Sequence, residues 1–329
     1  MYFRRFLYIA TMKFRDHFVP SPNMDYKRWF PMHMSVQMKK MEGKLRSVDL
    51  IIEVHDARIP LTGRNVQMFS SLYAVRPHIL VMNKMDLIDC KIYKKLVENH
   101  YSKLGVQHIV WTDCKRRSRE ALKMLQKKIL EVLQSEPRFN RAVKTEYQIM
   151  VIGIPNVGKS SLINSLRISN LGLKAIAAAE GARPGVTVRV QNRVRVLDKP
   201  PIYVLDTPGV LSPSGTSMEE VFKLSLCNLI PDSTMCQEHV ADYFLYWLNK
   251  SGDFSYVDYL NIPEPYDDIS TLLLALCKSK DWKYNCVIPG KGKVVRWDFE
   301  RATKHFIEFY REGYARDCCL DNDQLLFQG

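Results

Sequence analysis

Eight residues, Gly153-Ile-Pro-Asn-Val-Gly158-Lys159-Ser160, follow directly on the apolar stretch 148–152 and open into the helical stretch SSLINSLR. Strand, glycine loop and helix in that order make a phosphate-binding loop, and no other feature limits the fold as sharply. Gly153 and Gly158 are needed because backbone N–H groups must close around phosphate oxygens, where a Cβ would obstruct the approach. Lys159 would supply a point charge to the β- and γ-phosphates, the Ser160 hydroxyl would ligate Mg²⁺, and the helix N-terminus would add its dipole. Pro155, Asn156, Val157 and Ser161 complete the candidate nucleotide contacts. On average residue usage the bare pattern arises by chance in roughly one chain of this length in a hundred. Its placement after a strand argues further against an accidental glycine turn.

The loop does not choose a base. That choice falls to Asn83-Lys84-Met85-Asp86, at the carboxyl end of the apolar stretch 78–82, where open α/β sheets bind ligands. Asp86 can accept from the N1–H and 2-amino group of guanine, a donor pair that adenine lacks, and the Lys84 stem can lie over the purine ring. GTP and GDP are therefore expected rather than ATP. Thr112-Asp113-Cys114, after the apolar stretch 107–111, is a loose match to the run that supports the base in such proteins. Asp206-Thr-Pro-Gly209 follows another strand, so Asp206 is expected to hold Mg²⁺ through water and the Gly209 N–H to sense the γ-phosphate. Thr187, in Arg-Pro-Gly-Val-Thr, is the candidate switch residue that closes on Mg²⁺. A threonine that merely opens a strand is the competing reading.

Ordinary GTPases run phosphate loop, switch threonine, DxxG, NKxD, Ser-Ala-Lys. This chain runs Asn83, Thr112, Gly153, Thr187, Asp206. Joining the old termini and opening the chain after DxxG leaves the sheet unchanged, because domain termini often lie close together. Strands are expected at 49–55, 78–82, 107–111, 148–152, 188–196 and 202–205, alternating with helices. The fold class is thus an α/β, circularly permuted P-loop GTPase domain with a mostly parallel sheet. Beyond about residue 215 amphipathic helices take over, at 240–249, 269–277 and 299–311. With 329 residues, 46% of them hydrophobic, the chain can hold such a domain over 21–214 and a helical C-terminal domain over 215–329.

A formal net charge of +13 favours an anionic partner such as RNA or an acidic membrane face. Lys39, Lys40, Lys44, Arg46, Lys115, Arg116, Arg117, Arg119, Lys291, Lys293, Arg296, Arg301, Lys304 and Arg311 are the phosphate-contact candidates. Trp297, Phe306 and Tyr310 could stack on bases, but their helical spacing fits a core better. The eight cysteines show no CxxC pair, which points to reduced thiols rather than zinc or a secreted disulfide framework. Residues 1–20 carry Arg4, Arg5, Lys13 and Arg15 against Asp16 alone, with Phe3, Phe6, Leu7, Ala10, Phe14 and Phe18 at helical spacing. That is the shape of a mitochondrial presequence, against the plainer reading of an amphipathic N-terminal helix.

The permuted order, with Trp29-Phe30-Pro31, His33-Met34, Asp56-Ala-Arg-Ile-Pro60, Asn83-Lys-Met-Asp86, the run 153–161 and Asp206-Thr-Pro-Gly-Val210, resembles the YlqF/RbgA family of ribosome-associated GTPases, and its mitochondrial members above all. Family members usually have glycine where Met32 stands, and a basic residue directly after the switch threonine, where Val188 intervenes. The resemblance implies an assembly factor for the large subunit of the mitochondrial ribosome that binds its rRNA, hydrolyses GTP on the particle and then leaves. It implies a matrix location, with peripheral contact with the inner membrane left open, a monomer, and no DNA partner. Position 210 is Val, which cannot orient water, so by the same resemblance His33 orients the attacking water beside Lys159 and Thr187. Asn156 would hold a K⁺ ion against the phosphates. The rival readings are a scaffold whose nucleotide only stabilises the fold, disfavoured by intact Lys159, Ser160 and Asp206, and a cytosolic or nucleolar relative, disfavoured by the start of the chain.

Overall fold

The computed structural model describes residues 13–20, 39, 41–64, 76–116, 118–136, 138, 141–172, 193–207, 209, 217–289 and 292–327. They fall into two compact units, the larger drawn from 27–224, 228–231 and 319–329, the smaller from 1–26, 225–227 and 232–318.

The larger unit is built on a six-stranded sheet of β1 (Leu50–Asp56), β2 (His78–Asn83), β3 (Ile109–Trp111), β4 (Tyr147–Ile152), β5 (Arg193–Leu197) and β6 (Ile202–Asp206), in the order β3-β2-β1-β4-β6-β5. All neighbours pair in parallel except β5 with β6. The central strands β1 and β4 are buried along almost their whole length, as parallel strands covered on both faces must be. Edge strand β5 instead alternates exposed Arg193 and Arg195 with buried Val194 and Val196, so its charges discourage further pairing. Residues 188–192 of the expected fifth strand lie outside the described residues. Three helices, α1 (Cys90–Lys103), α2 (Arg119–Ser135) and α3 (Lys159–Leu171), cross between strands; side chains of Asp89 and Ser118 cap the first two, accepting from Lys91 and Ala121 N–H.

Spatial order explains why the permutation is harmless. Read from the other edge the sheet runs β5-β6-β4-β1-β2-β3, and a chain entering at β4 and leaving at β3 would fill the same places. Only the connections differ. Register sets Asp56 of β1 opposite Asn83 of β2, and Val151 of β4 opposite Asp206 of β6, so the motif-bearing ends lie along one rim.

The C-terminal tail departs from the expected division at 215. Residues 319–327, with the short α9 (Asn322–Phe327), belong to the larger unit. The buried Asp321 carboxylate accepts from Leu61 N–H (2.9 Å), Thr62 N–H (2.8 Å), the Thr62 hydroxyl (2.7 Å) and Lys223 Nζ (3.1 Å), while Leu320 N–H donates to Arg58 O at 2.8 Å. Sequence gave no hint of this, because an aspartate gathering four donors looks like any other surface acid.

In the smaller unit, α5 (Gln237–Ser251), α7 (Ile269–Lys280) and α8 (Phe299–Arg311) occupy the expected helical stretches, and a short α6 (Ser255–Leu260) stands between the first two. α4 (Met218–Leu226) precedes them along the chain. Phe244, Tyr256, Phe306, Phe309 and Tyr310 form the aromatic centre, with Phe244 and Phe306 ring centroids 4.9 Å apart. Phe306 and Tyr310 are therefore core residues, and Arg311 is tied to Asp232 and to the Ser225 and Leu226 carbonyls. A hairpin of β7 (Lys283–Ile288) and β8 (Gly292–Trp297) interrupts the helices. Apart from Cys286, Val294 and Trp297, which are half-buried, its described side chains are exposed on both faces, so it lacks the period-two pattern that marks a half-buried strand. The hairpin is an addition to the expected helical domain.

Residues 13–20, inside the stretch expected to be a presequence, pack within this smaller unit. The Arg15 guanidinium donates to both Asp242 carboxylate oxygens (2.8 and 3.2 Å) and to Asp267 (3.3 Å), and its N–H donates to Asp267 at 3.0 Å. Phe14 lies against Phe254 and Phe18 meets Tyr243 edge-on, each at 5.4 Å between centroids. All eight cysteines are free thiols, and no helix among the described residues is long and apolar enough to cross a membrane.

Candidate nucleotide-binding site

The carboxyl ends of β1, β2, β3, β4 and β6 carry the motifs singled out in the sequence. After β4 the backbone turns through Gly153 (φ 144°), where an added Cβ would lie 2.3 Å from the Val54 carbonyl oxygen, then through Asn156 (φ 57°) and Gly158 (φ 101°) into α3. Both glycines are required here, by positive φ and by close packing together. Pro155 and Val157 are buried beneath the loop, while Ser160 and Ser161 are half-buried in the first turn of α3. Lys159 is buried, and its Nζ donates to the Gly153 and Ile154 carbonyls at 3.2 and 2.8 Å. Burial pushes its pKa down to about 8, against the opposing pull of Asp206.

Ser160 Oγ donates to Asp206 Oδ2 at 2.9 Å, which joins the serine and carboxylate expected at Mg²⁺. Asp206 Oδ1 is buried and has no hydrogen-bond partner among the described residues. Burial raises the Asp206 pKa, partly offset by the Ser160 hydrogen bond and by Lys159. A buried carboxylate oxygen left over beside a serine hydroxyl fits an Mg²⁺ ion bound to Ser160 directly and to Asp206 through water. The Thr207 hydroxyl donates to Val151 O at 2.6 Å and pins the segment after β6. Gly209 then passes so close to the loop that a Cβ would sit 2.4 Å from Pro155 N.

Asn83 joins the base side to the phosphate side. Its Nδ2 donates to Val157 O in the loop at 2.7 Å, and its Oδ1 accepts from the Thr112 hydroxyl and Cys114 N–H, both at 3.2 Å. The loosely matched Thr112-Asp113-Cys114 is thus brought beside the Asn83 run, with Met85 N–H donating to Thr112 O. Lys84 takes a left-handed conformation (φ 61°). Asp86 is half-buried, and its pKa is raised, by burial first and by the neighbouring Asp113 second. Arg116 stands 3.7 Å from Asp86 and 3.8 Å from Asp113 but is largely exposed, so it offsets little of that. His33 and Thr187 lie outside the described residues. Asp56 and Arg58, quoted in the sequence only as part of a motif, turn out to be buried beside Lys84 with no signal but charge at a strand end.

The family described as "50S ribosome-binding GTPase" matches residues 148–255. That stretch begins at the strand before the phosphate loop and leaves Asn83–Asp86 outside, as the permuted order requires. Mitochondrial ribosome-associated GTPase 1 of Bos taurus is 42% identical over 93% of this chain and 92% of its own length. This chain belongs to the mitochondrial ribosome-associated GTPase 1 family. Mitochondrial GTPase 1 of Aedes aegypti is 40% identical over 93% of this chain and 97% of its own. Among solved structures, GDP-bound YlqF of T. maritima covers 84% of this chain and 96% of its own at a TM-score of 0.50, and with 22% identity it supports the fold. The protein is therefore a mitochondrial GTPase that binds guanine nucleotide with Mg²⁺.

Proposed function

We propose that this GTPase is an assembly factor for the large subunit of the mitochondrial ribosome, and that hydrolysis on the particle times its release. The observation that carries the nucleotide part is the single rim that bears Asn83, Lys159, Ser160 and Asp206: Asn83 bonds the phosphate loop at Val157 O, Lys159 bonds its Gly153 and Ile154 carbonyls, and Ser160 bonds Asp206. The ribosomal part rests on the relatives' names and on the charge of +13. Exposed Lys39, Arg46, Lys115, Arg119, Lys293, Arg296, Arg301 and Lys304 would meet rRNA phosphates, so binding should weaken steeply with salt. A peripheral contact with the inner membrane would draw on the same residues.

In the proposed mechanism Lys159 would neutralise developing phosphate charge, Ser160, Thr187 and Asp206 would hold Mg²⁺, and Asn156 would hold K⁺, two ions that would supply further positive charge there. His33 orients the attacking water when the protein is on the particle. GTP hydrolysis measured with and without mitochondrial large subunits, in K⁺ and then in Na⁺, tests this. The expected result is strong stimulation by the particle in K⁺, lost in His33→Ala without loss of GTP affinity. Tight GTP binding with no stimulation would instead support the scaffold.

Residues 13–20 lead to a narrower reading of the N-terminus: the imported protein keeps Lys13 onward, and a presequence is confined to earlier residues. An Arg15 fork held by two carboxylates would otherwise be cut from its partners. Mass spectrometry of the protein matured in mitochondria should find a first residue no later than Lys13. A mature chain starting at Phe14 or later would refute this.

A further inference from the structure

Asp56, the last residue of β1, takes part in none of the roles assigned above, yet it is fully buried and charged. Its carboxylate accepts from Arg58 Nε at 3.0 Å and Nη2 at 2.8 Å, and from Arg58 N–H at 3.1 Å. Lys84 Nζ donates to the same carboxylate at 2.7 Å. Arg58 is buried almost as completely, whereas Lys84 keeps 24% of its side chain exposed. Arg58 and Lys84 together hold the Asp56 carboxyl well below the usual carboxylate range in spite of its burial.

Arg58 and Lys84 both bond the one Asp56 carboxylate. A buried ion pair is a poor way to stabilise a fold, since desolvation consumes most of the Coulombic gain. What the arrangement does supply is geometry. Arg58 has a rigid fork that fixes the carboxylate plane, and the carboxylate in turn fixes the end of the flexible four-carbon stem of Lys84. Asp56 and Asn83 are level in the sheet register, so the anchor stands beside the strand end from which Lys84 departs.

We infer that Asp56, locked by Arg58, is a positioning residue for guanine recognition: it holds the Lys84 stem in the place where it covers the purine ring. This rests on the reading of Lys84 as a guanine contact. A stem fixed before binding need not be immobilised by the nucleotide, which is worth roughly three- to tenfold in affinity. The chemistry at the γ-phosphate is untouched, so the effect falls on binding and not on the rate at saturation.

The test is GDP titration and single-turnover hydrolysis at saturating GTP, with thermal unfolding measured alongside. Asp56→Asn alone strands a buried guanidinium and can fail to fold. The informative variant is Asp56→Asn with Arg58→Met, which removes both charges and keeps much of the volume. GDP affinity should fall roughly three- to tenfold in that variant, with the saturating rate unchanged, and should fall no further when the pair is placed on a Lys84→Ala background. Wild-type affinity in the pair variant, or losses that add to those of Lys84→Ala, would overturn the inference while leaving Lys84 a guanine contact. Unchanged GDP affinity in Lys84→Ala alone would remove the guanine reading of Lys84, and the inference with it.

Discussion

Replacing Asp86 by Asn should convert a guanine site into a xanthine site. The carboxylate accepts from the N1–H and the 2-amino group together, and each such charge-assisted bond contributes about 1.5–3 kcal/mol. Asn keeps a single acceptor and turns an N–H₂ toward the guanine 2-amino group, donor against donor. Xanthine has a carbonyl oxygen at that position, which accepts from the amide. GTP affinity should therefore drop by about 10²- to 10⁴-fold while XTP binding rises, and ATP should stay excluded. Burial and Asp113 both disfavour the Asp86 charge, so removing that charge should not destabilise the free protein. Parallel titrations with GTP, XTP and ATP decide the matter. Loss of all three affinities in a folded variant would show that Asp86 is structural.

Lys159→Ala should abolish measurable turnover, with a loss of about 10²- to 10³-fold or more, as when a preorganised charge at the reacting phosphate is removed. The wild-type residue also gives the affinity a pH dependence of known sign. Its ammonium has a pKa of about 8 in the free protein, whereas bound phosphates favour the charged form and raise that value. Near pH 7 Lys159 is protonated with or without nucleotide, and affinity is flat. Above about 8 the free protein has lost the proton, binding must take it up again, and affinity should fall by up to about tenfold per pH unit. The same depression acts on folding with the opposite slope: the unfolded lysine holds its proton to a higher pH, so nucleotide-free stability rises as pH passes through about 8. GDP titrations from about pH 7 to about pH 9, with unfolding followed in parallel, check both signs. A flat GDP affinity across that range would mean that Lys159 does not meet the phosphates.

Much of this protein could be read from the chain alone, wherever the physics is local. The short apolar stretches placed β1, β2, β4 and β6 within two residues, and glycines at 153 and 158 marked a turn whose positive φ few other residues accept. The order of the motifs fixed the permutation, since connectivity is itself a property of sequence. The family resemblance supplied His33, and the run Arg-Pro-Gly-Val-Thr supplied Thr187; both lie outside the described residues.

Other features exist only because distant segments meet. The Asp56–Arg58–Lys84 anchor needs β1 and β2 side by side, and the Asp321 clasp needs a tail that crosses some 260 residues of chain to reach Leu61. Arg15 looked like presequence charge until Asp242 and Asp267 stood beside it, and the β7–β8 ribbon carried no pattern because neither face is covered. Sequence determines backbone preference, motif spacing and which side chains can carry charge. Which charges are paired and buried is decided by tertiary structure, because a charged group pays its desolvation cost only where packing removes water, and only packing brings the partner that offsets it.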